Sequence, residues 1–196
     1  MEVQGLIHVA QPMIENPVTG ERFVFRQTAE DTGGEMLAFD FLLRAGAPGP
    51  LPHVHPIQEE RFEVIAGTLE LRIGPRRAVA GLGATVEVPP GTPHYFKNVG
   101  DDEAHLRVEV RPALRLKELL ETVAALAREG RLNGRGHPRN LLQLALLARE
   151  YEREAYAAYV PLALQRVLLA PLAWIGRVVA PLPEPHGLVL AAESDR

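Results

Sequence analysis

The feature that most constrains the fold of this chain is a series of short apolar segments in residues 1–112, separated by turns rich in glycine and proline. Apolar and polar residues alternate in several of them, as in half-buried β-strands. The predicted strands are residues 21–26, 35–43, 61–66, 68–73, 84–88, 94–98 and 104–111. They follow one another too closely for the helical crossovers that a parallel sheet needs. The pattern therefore predicts an antiparallel β-sandwich or β-barrel.

After Pro112 the pattern becomes helical. Leucine, alanine and valine recur at helical spacing, and glycines separate the segments. The predicted helices are residues 114–129, residues 139–159 and a segment from Pro161 to about Ala180. We therefore divide the chain into a β-rich domain, residues 1–112, and a C-terminal helical extension, residues 113–196.

The segment that begins at Pro161 is apolar on nearly every face, so a helix there must be covered by something. Packing on the same protomer or on a dimer partner is the favoured prediction. Attachment to a membrane surface ranks second, and a membrane span ranks last. Three prolines and two arginines argue against a span, and Pro171 is expected to kink or break the helix. These residues are Pro161, Arg166, Pro171, Arg177 and Pro181.

The composition of the chain excludes several kinds of site and partner. The chain has no cysteine, so disulfides and thiolate catalysis are excluded, and a metal would have nitrogen and oxygen ligands. The net charge is −4 and no basic patch with interleaved aromatic residues occurs, which argues against nucleic acid as a partner. The first residues show no basic start followed by an apolar run. We therefore expect a cytoplasmic protein.

The first chemical motif is the segment His53-Val-His55, followed by Glu60. Residues i and i+2 of a strand face the same side, so the two imidazoles can point together into a barrel. Glu60 begins the next predicted strand and can add a carboxylate oxygen. Such a set suits iron, manganese, nickel, copper or zinc better than calcium or magnesium. Glu59 is an alternative ligand if the turn is one residue shorter, and Gln58 is expected to be a solvated turn residue.

The second motif is Gly83-x5-Pro89-x-Gly91-x2-His94-x3-Asn98. Pro89-Pro90-Gly91 favours a tight turn that ends one strand and starts the strand carrying His94. His94 would add a third imidazole from across the barrel, and Asn98 is expected to cap a strand end. The remaining histidines have no partner at ligand spacing and are expected at the surface: His8, His105, His137 and His186.

Together these stretches resemble the two signature motifs of the cupin superfamily, G-x5-H-x-H-x3,4-E-x6-G and G-x5-P-x-G-x2-H-x3-N. The second motif matches at every position, whereas Ala47 stands where the first begins with glycine. The resemblance implies a mainly β fold: a cupin-type jelly-roll β-barrel, here followed by the α-helical extension. It also implies one divalent transition metal (Fe, Mn, Ni, Cu or Zn) bound by His53, His55, Glu60 and His94.

The resemblance implies several functions. The first is a metal-dependent oxidoreductase of the dioxygenase type that acts on a small organic molecule. The alternatives are a metal-dependent isomerase and a non-catalytic module that binds or senses a small ligand, with or without metal. Cupins commonly pair through barrel edges, so we expect a homodimer. Apolar strand residues such as Phe39, Phe41 and Phe62 are expected to fill the core rather than to line a ligand pocket.

Overall fold

A computed structural model describes residues 13–185. Its strands are β1 (Met13–Glu15), β2 (Arg22–Gln27), β3 (Leu37–Leu43), β4 (His53–Val54), β5 (Glu59–Ala66), β6 (Leu69–Ile73), β7 (Arg76–Ala80), β8 (Thr85–Val88), β9 (His94–Asn98), β10 (Ala104–Arg111) and β11 (Tyr156–Ala157). Its helices are α1 (Leu116–Arg128), α2 (Leu141–Glu150) and α3 (Leu162–Val179). Strands therefore dominate up to residue 111 and helices dominate after it.

The strands form two antiparallel sheets. One has the order β1-β2-β3-β10-β5-β8, and the other has the order β11-β4-β9-β6-β7. Consecutive strands such as β5 and β6 belong to different sheets, so the chain crosses repeatedly between them. The two sheets enclose one hydrophobic cluster, as expected for a jelly roll. The predicted fold class, a cupin-type β-barrel with a C-terminal helical extension, is confirmed.

The barrel interior is filled by large apolar side chains. Alternation along β10 buries Ala104, Leu106, Val108 and Val110, while the residues between them face outward. Phe96 of one sheet meets Phe41 and Phe62 of the other edge-to-face, at ring-centroid distances of 5.7 and 5.2 Å. The predicted strand faces therefore fill the core, and each fully buried side chain stabilises the fold by about 1.5–3 kcal/mol.

The turn before β9 fixes where His94 enters the barrel. Gly91 has φ +75°, a conformation that residues with a Cβ rarely adopt. Its N–H donates to the His55 carbonyl at 2.8 Å, and the Thr92 N–H donates to the Pro89 carbonyl at 3.2 Å. The predicted Pro-Pro-Gly turn therefore forms, and it also connects the two metal-ligand motifs through the backbone.

The helices of the extension pack in different places. In α1, Leu116 and Ala124 join the barrel core. Helices α2 and α3 pack against each other at a glycine contact, because a Cβ on Gly176 would lie 2.7 Å from the Leu142 carbonyl oxygen. Buried Ala145 and Ala173 belong to the same small cluster. Small residues therefore bring α2 and α3 close together.

Two helix predictions need correction. The predicted helix over residues 139–159 ends at Glu150, and the residues after it form turns and strand β11. The reason is tertiary: β11 gains a sheet partner, β4, that a continued helix would lack. Pro171 does not break α3, which continues through it with Pro171 on the exposed side. A proline there removes one N–H donor and leaves the packing on α2 intact.

Most of α3 remains exposed. By length and composition, Leu162–Val179 meets the requirements for a membrane-crossing helix, and only 11% of it is buried. Its largest exposed side chains include Trp174 at 70% and Val178 at 79% exposure. Packing on the same protomer, one of the two arrangements in the favoured prediction, therefore covers only the face that contacts α2.

Candidate metal centre

Three strands and a turn place four side chains at one point inside the barrel. His53 lies on β4, directly opposite His94 on β9, and His55 follows β4 on the same side. Glu60 lies on β5 in the facing sheet. His55, Glu60 and His94 are buried, with exposures of 4, 7 and 3%, whereas His53 is partly exposed. His53 is therefore the member of the set with the most solvent exposure.

The four predicted ligands offer nitrogen and oxygen atoms that all lie within 4.8 Å of one another. The Nε2 atoms of His53 and His55 are 3.1 Å apart. Glu60 Oε2 lies 2.9 Å from His94 Nε2 and 3.4 Å from His55 Nε2. The structure therefore brings all four predicted residues together.

Backbone carbonyls hold each imidazole in the tautomer that a metal needs. His53 Nδ1 faces the Leu51 carbonyl at 2.7 Å, and His94 Nδ1 faces the Thr92 carbonyl at 3.0 Å. His55 Nδ1 faces the carbonyl of Glu154. A carbonyl oxygen can only accept, so each Nδ1 carries the proton that it donates. Each Nε2 of a neutral ring is then left with a lone pair directed into the site.

This donor set fits a metal ion. When both rings are neutral and carry their proton on Nδ1, the neighbouring Nε2 atoms of His53 and His55 present lone pairs to each other. The Glu60 carboxylate adds a third acceptor. A cation between these atoms removes the repulsion, and three imidazoles with one carboxylate suit transition metals. The cluster could therefore hold one metal ion.

Electrostatics favour the metal-binding protonation states of His53 and Glu60. Burial, followed by the neighbouring His94 and His55 rings, lowers the pKa of His53 to about 3. Burial alone would raise the pKa of Glu60, but the adjacent His55 and His94 hold it well below its usual range. Burial alone would lower the pKa of His55, but the Glu60 carboxylate outweighs it and raises that pKa. His55 is thus the ligand for which a proton competes most strongly with a metal.

The residues next to the ligands differ from two expectations. Glu59, the alternative ligand, is exposed, whereas Glu60 faces the site. Gln58 was expected to be a solvated turn residue, and this is wrong because it is fully buried at 0% exposure. Its amide nitrogen donates to the carbonyls of Pro112 and Ala113 at 2.9 and 3.0 Å. These two hydrogen bonds to residues distant in the chain stabilise the buried position of the Gln58 side chain.

The other histidines do not join this cluster. His105 Nε2 lies 3.3 Å from Asp40 Oδ2 on another part of the barrel, and its side chain is 30% exposed. His137 is partly exposed. His8 and His186 lie outside the described residues. Sequence reasoning missed Glu154, whose carbonyl accepts from His55 across 99 residues of chain. No local sequence signal marks a backbone carbonyl as a partner of a distant imidazole.

The barrel matches a known family. Residues 39–110 match the family described as "Cupin domain", a range that contains the four clustered residues. No curated protein matches the sequence. The chain is also similar to a sugar phosphate isomerase of the cupin superfamily from Silicibacter pomeroyi. That alignment has 21% identity and a TM-score of 0.46, and it covers 52% of this chain and 71% of the other.

Two further solved structures are similar to part of this chain. One is an RmlC-like cupin from Shewanella frigidimarina, which is 20% identical with a TM-score of 0.43. The alignment covers 52% of this chain and 84% of the other. The cupin domain of Cnp3 from Schizosaccharomyces pombe is 18% identical with a TM-score of 0.43. There, 47% of this chain spans 61% of that domain's length. The match over residues 39–110 identifies the barrel as a cupin domain.

Proposed function

We propose that His53, His55, Glu60 and His94 bind one divalent transition metal and that the chain is a metal-dependent oxidoreductase of the dioxygenase type. The observation that carries this proposal is the convergence of three Nε2 atoms and one carboxylate within 4.8 Å. The proposed metals are iron, manganese, nickel, copper or zinc, of which a redox-active ion would support oxidation. The substrate would be a small organic molecule.

The arrangement leaves room in the coordination sphere. Four protein ligands do not fill an octahedral sphere, so a small molecule could bind beside them. His53 is the partly exposed member of the set, and a substrate would approach from its side. When bound, a redox-active metal would supply the activation of dioxygen and the orientation of substrate.

The protein's own contribution is positioning and exclusion of water. The Phe62 ring lies 6.5 Å from the His94 ring and belongs to the apolar cluster behind the site. Glu60 has a strongly lowered pKa, so it stays ionised near neutral pH and is a poor proton acceptor there. We therefore assign Glu60 to metal binding and not to general-base catalysis.

Elemental analysis tests the proposed metal site. The protein is purified without a metal-affinity tag, and its metal content is compared with that of His53→Ala and His94→Ala. We expect about one metal per wild-type chain and a large loss in both variants, because each removes a ligand. His137→Ala, which lies outside the cluster, serves as the matched control and should retain the metal. Equal metal content in all four proteins would contradict the assigned ligands.

A panel of small organic molecules then tests the reaction, with oxygen uptake as the readout. Substrate-dependent uptake by the metal-loaded protein, lost in His94→Ala, supports the oxidoreductase. Substrate turnover without oxygen uptake supports instead an isomerase in which the metal polarises the substrate.

A non-catalytic ligand-binding or sensing module is the second candidate. The observation that favours it is that, within the described residues, the cluster holds no titratable side chain beyond the four proposed ligands, so it offers no separate general base. Retention of zinc or of no metal, together with ligand binding but no turnover across the panel, would support this alternative.

We further propose that a second copy of the chain covers α3. The outer face of α3 carries large apolar side chains that are 41–79% exposed: Leu164, Val167, Leu168, Trp174, Ile175, Val178 and Val179. At 100° per residue they fall within an arc of roughly 140° that contains no charged residue. The absence of charged residues from this arc is typical of the buried centre of a dimer interface.

A further inference from the structure

One of the three imidazoles depends on the C-terminal extension for its orientation. His53 and His94 donate to carbonyls two residues away on the chain, those of Leu51 and Thr92. His55 instead donates to the Glu154 carbonyl, which lies 99 residues further along the chain. The barrel motifs alone therefore do not complete the hydrogen bonding around the site.

The Glu154 side chain anchors this carbonyl. Glu154 is only 4% exposed, although it is a charged residue in a segment between a helix and a short strand. Its Oε1 accepts the backbone N–H of Arg115, just before α1, at 3.2 Å. The Glu154 N–H donates to the Tyr151 carbonyl at 3.0 Å. Both sides of the residue are thus fixed, and its carbonyl is directed at His55.

The segment after Glu154 continues along the edge of the site. Strand β11 pairs antiparallel with β4, which places Ala157 opposite His53. The Ala158 N–H donates to the Pro52 carbonyl at 3.1 Å. The extension therefore contacts the barrel beside two of the four proposed ligands, through backbone hydrogen bonds that hold it in one register.

Gln58 provides a second connection from the site to the extension. Its buried amide nitrogen donates to the carbonyls of Pro112 and Ala113, where the barrel ends and the extension begins. The start of the extension is therefore bonded to a residue three positions after His55.

We propose that the extension is part of the metal centre: Glu154 is a positioning residue whose carbonyl sets the tautomer and orientation of His55. Residues 154–158 must then be seated on β4 for tight metal binding. The inference rests on the proposed metal site. Hydrogen-bond partners of metal-bound histidines typically change metal affinity 10- to 100-fold when they are lost.

Paired variants of Glu154 in the full chain test this role. Glu154→Ala removes the anchor to Arg115 and frees the carbonyl, so we expect its Zn²⁺ affinity, measured by chelator competition, to fall about tenfold. Glu154→Gln keeps an oxygen that accepts the Arg115 N–H and should remain within about threefold of wild type. Glu152→Ala, two residues earlier, is the matched control with unchanged affinity, because Glu152 pairs with Arg149 and Arg166.

Two further readouts separate positioning from general loss of structure. The Co²⁺ absorption spectrum should change in Glu154→Ala and be restored in Glu154→Gln. Ring ¹⁵N shifts of the Zn²⁺-loaded wild type should show a His55 proton on Nδ1 that exchanges slowly with solvent. If Glu154→Ala unfolds, this measurement on the wild type still tests the inference. A His55 Nδ1 proton that is absent or exchanges rapidly would contradict it.

The outcomes distinguish the inference from the proposed function. A wild type that binds no Zn²⁺ or Co²⁺ contradicts the metal site, and the role of Glu154 with it. A wild type that binds metal, together with a folded Glu154→Ala of equal affinity and identical Co²⁺ spectrum, contradicts only the role of Glu154. In that case the extension lies beside the site without shaping it.

Discussion

At the proposed site, a proton and a metal ion would compete for the same atom of His55. Its Nδ1 is already engaged by the Glu154 carbonyl, so a second proton can be added only at Nε2, which faces Glu60. Burial disfavours the charged ring, but the Glu60 carboxylate outweighs burial and raises the pKa of His55 above 6.5. Metal binding must displace that proton, whereas His53, with a pKa of about 3, is already neutral.

We therefore predict that metal affinity falls as the pH is lowered through the raised pKa of His55. The affinity should drop by up to about tenfold per pH unit below that pKa and level off above it. The contribution of His55 protonation to the stability of the metal-free fold depends on pH in the opposite direction. In the metal-free protein, protonated His55 stabilises the fold below pH 6.5, and this stabilisation is lost as the pH rises through the raised pKa.

Zn²⁺ titrations at about pH 6, 7 and 8, corrected for protonation of the competing chelator, measure this dependence. Calorimetry in buffers of different ionisation enthalpy should detect proton release on binding at the lower pH, approaching one proton per metal. An affinity that is independent of pH over this range would show that no ligand proton is displaced.

The clustering of the four proposed ligands could be predicted because the signals for it are local. The i, i+2 pair His53 and His55 and the Pro-Pro-Gly turn before His94 each define a strand and a direction within a few residues. Glu154 and Gln58 could not be predicted in the same way. Their roles come from backbone carbonyls and a backbone N–H that become neighbours only when the extension folds onto the barrel.

At the scale of elements, Asn98 connects the end of β3 to the turn after β9. The two N–H groups of its Nδ2 are shared among three carbonyl oxygens, those of Leu43, Arg44 and Asp102, at 3.1, 3.0 and 2.7 Å. Its Oδ1 accepts the Gly100 N–H at 2.9 Å. Because Asn98 is only 1% exposed, water cannot easily replace these bonds. The expectation that Asn98 has a structural role is therefore confirmed, and the last residue of the second motif acts as a clamp between strands.

Replacing Asn98 with alanine should destabilise the protein by about 2–4 kcal/mol, because it leaves buried backbone groups without partners. Urea unfolding followed by circular dichroism measures the change. Lys97→Ala is the matched control, since Lys97 is the preceding residue, and its side chain is 44% exposed beside Glu70. That control should change stability by less than about 0.5 kcal/mol. An Asn98→Ala variant as stable as Lys97→Ala would refute the clamp.

Elements were predictable where the local pattern was strong. Strands such as β3 and β10 carry clear apolar faces, whereas β7 has the exposed sequence RRAVA and was missed. It becomes a strand because β6 pairs with it along its length. The over-extended second helix fails for a related reason, since Tyr151 and Ala155 match helical spacing but the chain turns to place β11 on β4.

At the scale of the molecule, the extension has two distinct surfaces. One side is anchored to the barrel through α1 and β11, and it reaches the proposed metal site. The other side presents the outer face of α3, while the inner face of that helix packs on α2. Charges lie away from the outer face: Arg166 pairs with Glu152, and Arg177 lies on the same flank of the helix. An apolar strip of this kind is unusual on a monomer and typical of an interface.

If a second copy covers this strip, the wild-type protein should have twice the mass of the 21.5 kDa chain in light scattering coupled to size exclusion. The double variant Val167→Glu and Val178→Glu should be a folded monomer, because both side chains are more than 70% exposed and neither contacts α2. Four desolvated carboxylates at the two-fold interface would oppose association strongly. Val79→Glu on β7, whose native side chain is 70% exposed, is the matched control and should remain a dimer. A monomeric wild type would contradict the proposal, and its co-sedimentation with anionic vesicles would assign the strip to a lipid surface instead.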